Sequence, residues 1–425
     1  MEKKSGKVAI VGSSIAGSML ALLLGKAGIE TIVIEERAKS QVGKKVCANI
    51  VTSSFLASAE KIGINPKTFL DKKFSIAEFY SANNSIKIPV EDYEVNRKKL
   101  LEEIIKKAEN RGVKFYFNTR CIRIKKTLSL PHTKVYGVHR FSGCSEISTL
   151  NRGNFQFPMP QKSRDFCGGA VLNQISDIKK IGGSYNILMK RGSKLIEARA
   201  DYIIGCDGAL SNTAKSGGLW QDRKFWLAIQ TKVNLGKLKK IKVKLSHYCI
   251  FFMPKFGHYS YIFPSKKYLV IGTVANPKTA IKDFRRFTSF LKIGRCKKES
   301  ALIPIPKRIR TKRGNIFIAG DAACQTKFTG GGIVPSIESC IAIRDIILKK
   351  NYAKMNELNN EIFLHQMISR VLSKMNERDL DRLFEIAKRG DIKTGYSRDE
   401  LRKWAVKVAL GNPSLIKFIP KLFLP

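Results

Sequence analysis

Apolar positions near the start of the chain fall into two short unbroken runs with a helical stretch between them. Lys7-Val8-Ala9-Ile10-Val11 and Thr31-Ile32-Val33-Ile34 lack polar alternation, as strands buried on both faces do. Ser18 to Ala27, rich in Leu and Ala, predicts the helix that joins them. Further on, the pattern predicts a helix from Ser54 to Ile62 and a hairpin of Phe74 to Tyr80 and Ser85 to Val90, turned at Asn83-Asn84. A helix from Lys98 to Asn110 puts Leu100, Leu101, Ile104, Ile105 and Ala108 on one face and stops at Gly112. Val113 to Phe117 reads as a strand that Cys121 to Lys125 continues. From Thr127 to Gly183 no periodicity is readable, and a long structureless loop is unusual inside a compact domain.

Order returns with a hairpin, Tyr185 to Met189 and Leu195 to Arg199, and with a strand from Ala200 that ends in the turn Asp207-Gly208. Leu227 to Val233, His247 to Met253, His258 to Phe263 and Tyr268 to Val274 read as an antiparallel sheet. Ile281 to Leu291 reads as a helix, Asn315 to Asp321 as a buried strand, and Gly330-Gly331-Gly332 opens a helix from Ser336 to Lys349. After Asn351 the chain reads helical and basic. The expected class is α/β. A Rossmann-like domain is assembled from 1–73, 94–220 and 300–350; an antiparallel-sheet substrate domain, from 74–93 and 221–299, is inserted into it. A C-terminal helical region spans 351–425.

Gly12-Ser13-Ser14-Ile15-Ala16-Gly17 sits at the first strand–helix junction, and Glu35 follows Gly12 by twenty-three residues. Strand, glycine turn, helix, strand, acid is the opening of a dinucleotide-binding unit. Gly12 permits the tight turn, the small Ser14 admits a pyrophosphate, and Gly17 lets helix and strand pack closely. The helix start offers free N–H groups to phosphate, and Glu35 offers a carboxylate to a ribose. Two later strands also end in Gly and Asp, at Gly205 to Gly208 and at Gly320-Asp321. Carboxyl ends of strands in such sheets gather ligands. Asp207-Gly208 by itself is an ordinary turn, and Arg97, heading a helix, is by itself an ordinary solvated residue.

Taken together and in this order, these residues resemble the flavoprotein group that includes the aromatic hydroxylases, with its G-x-G-x-x-G, Asp-Gly and Gly-Asp motifs. Within it the chain is similar to the geranylgeranyl reductases, above all the archaeal digeranylgeranylglycerophospholipid reductases. Lys45-Val46-Cys47 matches a cysteine loop of that family. Tyr259-Ser260-Tyr261-Ile262-Phe263-Pro264 matches its Tyr-x-Trp-x-Phe-Pro signature with Tyr261 in the Trp position, and Gly320-Asp321-Ala322-Ala323 with Thr329-Gly330-Gly331-Gly332-Ile333 matches its third motif. The resemblance spans the chain outside Thr127 to Gly183. It departs at Cys324, where the family has Gly, in a loop before Gly330 that is one residue short and lacks a proline, and at Ala48-Asn49.

The resemblance implies FAD as cofactor. It implies a cofactor site of Gly12, Ser14, Ala16, Gly17, Glu35, Arg37, Cys47, Arg97, Cys121, Asp207, Gly208, Asp321, Gly331, Gly332 and Ile333, with Cys47 catalytic as proton donor, redox thiol or pocket residue. Tyr259, Tyr261 and Phe263 alternate onto one strand face; with Pro264 they are the expected substrate wall, or else ordinary sheet core. The implied reaction is hydride transfer from reduced flavin to isoprenoid double bonds of geranylgeranylated glycerophospholipids, with NADPH, ferredoxin or a deazaflavin as electron donor. An aromatic-hydroxylase-type monooxygenase is the alternative on the same fold. A basic binding protein on a nucleotide fold is the alternative outside catalysis.

Charge changes this picture in one respect. With 78 Lys and Arg against 34 Asp and Glu, the formal charge is +44. Nucleic acid, an anionic membrane surface or a Lys-rich proteome each explain such an excess. The cations are spread rather than blocked and are not interleaved with aromatics, which argues against nucleic acid. A prenylated lipid substrate with a phosphate head favours peripheral attachment to the inner face of the cell membrane, and the tail Leu415 to Pro425 is either its apolar contact or a segment that packs on the body of the protein. Nine scattered cysteines without a C-x-x-C, and five histidines without ligand spacing, predict reduced thiols in a cytoplasmic protein and no metal. Met1 to Lys7 is too short and polar for a signal peptide.

Overall fold

The computed structural model describes residues 6–127, 185–235 and 244–389. The expectations placed on 128–183 and on the tail 415–425 lie outside the described residues.

One sheet has the strand order 312–313, 316–318, 202–205, 8–11, 31–34, 114–116, parallel except for its 312–313 edge. Every residue of Val8–Val11 and Thr31–Ile34 is buried, because both faces of the sheet are covered. Val8 and Ile10 pack beneath the helices Ile15–Lys26, Arg97–Glu109 and Ile333–Lys349. Ala9 and Val11 point the other way, into a core shared with a three-stranded sheet of Thr119–Lys126, Tyr185–Arg191 and Lys194–Ala200. Residues 119–126 therefore do not continue 114–116: the chain turns at Asn118, whose φ is 53°, and enters a different sheet.

The second large sheet has the order 299–304, 225–234, 268–275, 259–264, 247–251, 70–80, 85–95, 50–52. It reaches past the expected bounds at both edges, taking in Ile50–Thr52 and Glu299–Pro304. Ile50–Thr52, at three residues, carries too little alternation to declare a strand. All neighbouring pairs are antiparallel except 247–251 with 70–80, where two segments far apart in sequence meet. One face of this sheet buries Tyr259, Tyr261, Phe263, Ile250 and Val274. The opposite face packs Ile262, Ile271 and Phe251 against Phe287 of the helix Ala280–Phe290. Helices Ala353–Ser373 and Glu377–Arg389 follow.

Candidate functional site

The two large sheets face each other across a cleft of about 670 Å³. It is lined by Gly12, Ser14, Ala16, Glu35, Arg37, Cys47, Arg97, Cys121, Asp207, Gly208, Asp321, Gly331, Gly332 and Ile333 from the Rossmann side and its loops. Tyr259, Tyr261 and Phe263 line it from the facing sheet. Two expected site residues lie elsewhere. Gly17 is behind the first loop, where an added Cβ would come within 1.8 Å of the Gly12 carbonyl, so its work is packing. Pro264 follows Phe263 by one residue and so points to the other side of the strand. Its carbonyl accepts from Lys72 Nζ at 2.6 Å.

The helices Ile15–Lys26 and Ile333–Lys349 both begin at the cleft, and neither start is capped by a side chain. Their free N–H groups and dipoles favour negative groups there. Glu35 is buried, with Ser13 N–H donating to it at 2.7 Å and Arg37 Nε at 2.8 Å. Burial alone would raise its pKa; hydrogen bonds from Arg37 and Ser13 outweigh that and hold it lowered. Asp207 lines the wall, yet its oxygens are engaged by Ser211 and by Thr213 N–H at 2.9 Å, so it anchors its own turn. Asp321 is paired with Lys45, a residue of the cysteine loop to which the sequence assigned no role.

That loop is held in an unusual shape. Asn49 has φ 58°, and its N–H donates to Cys47 Sγ at 3.4 Å. Asn49 Oδ1 and Arg97 Nε are buried without a partner, one acceptor and one donor, and both residues line the cleft. Buried polar atoms rarely stay unpaired, so both fit a polar ligand. The Thr329–Gly332 loop is fastened to the facing sheet. Tyr259 donates its hydroxyl to the Thr329 carbonyl, and His258 Nε2 lies 3.4 Å from the Phe328 carbonyl. Burial pulls His258 down to about 4, against the Phe328 carbonyl, and its ring stacks on Trp226 at 4.4 Å. Cys121 is pushed up to about 12 by burial and then by Asp207, so it serves as a wall residue rather than a reactive thiol.

Gln230 and Gly272 were not foreseen. Tyr261 donates to Gln230 Oε1 at 3.0 Å. Its ring lies over Gly272 of the neighbouring strand, where an added Cβ would sit 2.2 Å from the ring. The cross-strand register reveals this contact, and one sequence alone does not show a register.

The family profile described as FAD binding domain matches residues 5–141. Digeranylgeranylglycerophospholipid reductase 3 of Methanosphaera stadtmanae is 24% identical over 96% of this chain and 97% of its own length. The chain is an FAD-dependent oxidoreductase. A geranylgeranyl bacteriochlorophyll reductase-like protein of Thermoplasma acidophilum superposes on it with a TM-score of 0.70 at 16% identity, covering 98% of this chain and 99% of that one. A probable FAD-dependent monooxygenase of Pseudomonas aeruginosa, PqsL, shares the fold of the oxidoreductase at a TM-score of 0.59 and 12% identity, covering 89% of this chain and 99% of that one. The oxidoreductase is thus similar along nearly its whole length to the geranylgeranyl reductases, as its three motifs imply. Among the described residues no helix is long and apolar enough to cross a membrane.

Proposed function

We propose that the oxidoreductase saturates isolated double bonds in the prenyl chains of geranylgeranylated, archaeal-type glycerophospholipids. The observation that carries this reading is the two-sided lining of the cleft. Its nucleotide end is polar and rich in N–H donors, whereas Ala228, Ile250, Tyr259, Tyr261, Phe263 and Val274 make the facing wall. An apolar chain seated on that wall lies against whatever the polar end holds. The sequence relatives that match along most of this chain are named digeranylgeranylglycerophospholipid reductases.

FAD, once reduced, supplies the hydride. The residues present suit it: the loop of Gly12, Ser14 and Ala16 with the helix start behind it would take the pyrophosphate, and Glu35 with Arg37 a ribose. Asp321 with Gly331, Gly332 and Ile333 would take the ring side. An unactivated alkene develops little charge for a dipole to stabilise, so holding the reacting carbon in place is the larger contribution. Tyr259, Tyr261 and Phe263 serve that purpose and keep water out. The second carbon needs a proton, and Cys47, already an acceptor of the Asn49 N–H, is the thiol in the wall that can give it. The electrons come from NADPH, ferredoxin or a deazaflavin, and the protein sits peripherally on the inner face of the membrane.

Anaerobic incubation of the chemically reduced protein with geranylgeranylated glycerophospholipid tests the reading. Mass spectrometry should find a pair of hydrogens added per bond. An unreduced lipid, with oxygen-dependent hydroxylation of an aromatic instead, would replace this reading by the monooxygenase one.

A further inference from the structure

Arg223 is 7% exposed and is not among the residues that line the cleft. Its guanidinium is spent on backbone carbonyls: Nη1 donates to Ala322 at 2.9 Å, Nε to Gln221 at 3.4 Å and Nη2 to Leu219 at 3.5 Å. The Trp220 ring covers it, 4.1 Å from Cζ. Among the described residues no carboxylate forms an ion pair with it. Asp207 acts on it through space, but the oxygens of Asp207 are committed to Ser211 and Thr213.

A buried cation paired only with carbonyls costs stability, and a neutral amide would serve those carbonyls at lower cost. Its position explains the charge. Ala322 belongs to the short 3-10 turn Gly320–Ala323, which also carries Asp321 into the cleft. The guanidinium therefore sits directly behind the turn that lines the cleft, in a medium that screens poorly. Two-electron reduction of a flavin with uptake of one proton leaves the cofactor one unit more negative.

We propose that Arg223 is a positioning residue whose fixed positive charge, seated behind the Gly320–Ala323 turn, favours the reduced and more negative form of the bound flavin. The inference rests on FAD and on this chain's own side chains, and is independent of which substrate is reduced.

The test is the midpoint potential of the FAD-loaded protein, measured against a reference dye, with FAD content determined in parallel. Arg223→Gln should keep its carbonyl contacts in part and lower the equilibrium constant for reduction about tenfold, which is about 30 mV for a two-electron couple. Arg223→Lys should stay near the wild-type potential at neutral pH. Because a buried Lys titrates and Arg does not, its potential should then fall below wild type as pH rises. A Gln variant with full FAD and an unchanged potential would overturn the proposal. So would a Lys variant that keeps the wild-type potential above the pH at which its amine has titrated, a reading available even if the Gln variant fails to hold FAD.

Discussion

Glu35 and Cys47 line the same cleft in different surroundings. Glu35 accepts from Ser13 and from Arg37, so its carboxylate ties the glycine loop to the end of the second strand. Its folded pKa is lowered, so its contribution to stability is fully present above the unfolded value of about 4.3 and is lost as pH falls through the folded value. Glu35→Gln should cost about 1 kcal/mol at neutral pH, because Arg37, 40% exposed, stays hydrated when its charge partner is removed. Denaturant titrations should show that cost shrinking below the unfolded pKa; a cost independent of pH would refute this account. Cys47 holds no such framework together beyond the Asn49 N–H. Cys47→Ala is expected to keep FAD and lower kcat by about 10²-fold, the scale of a lost proton donor. Equal turnover in wild type and variant would take Cys47 out of the chemistry.

Elements were legible in the sequence where one side-chain period ran unbroken, and contacts between them were not. The buried strands at 8–11 and 31–34 announced themselves as apolar runs, and the glycine loop between them carried its own chemistry. The alternation of Tyr259, Tyr261 and Phe263 placed that face of the 259–264 strand correctly, and the same period should have turned Pro264 away. The roles of Lys45, Gln230, Gly272 and Arg223 come from long-range register, which no local pattern encodes. Gly272 gives a direct check. A methyl there meets the Tyr261 ring at 2.2 Å and forces it toward the cleft. Gly272→Ala should destabilise by about 1–3 kcal/mol, the usual cost of overpacking. It should also raise KM for the prenyl substrate with FAD content unchanged. If KM holds while stability drops, the Tyr261 face is sheet core and not substrate wall.

At the scale of the whole molecule the excess of cations outweighs anything the site requires. The 34 acids cannot neutralise 78 bases, and ion pairs such as Lys39–Glu109, Lys73–Glu91 and Lys98–Glu102 are exposed, where each contributes little. A surface of this sign attracts any polyanion, and its reach follows the Debye length, about 30 Å at 0.01 M salt but about 3 Å at 1 M. On the proposed lipid substrate, an anionic bilayer is the partner to test. The protein should float with vesicles containing phosphatidylglycerol at about 0.01 M salt, much less with pure phosphatidylcholine, and be released as salt approaches about 1 M. Two outcomes separate the forces involved. Retention at high salt on both vesicle types would show that apolar insertion holds the protein, and would turn attention to the tail 415–425. Release from vesicles by duplex DNA at low salt, with no restoration by excess anionic lipid, would show that the charge serves nucleic acid after all.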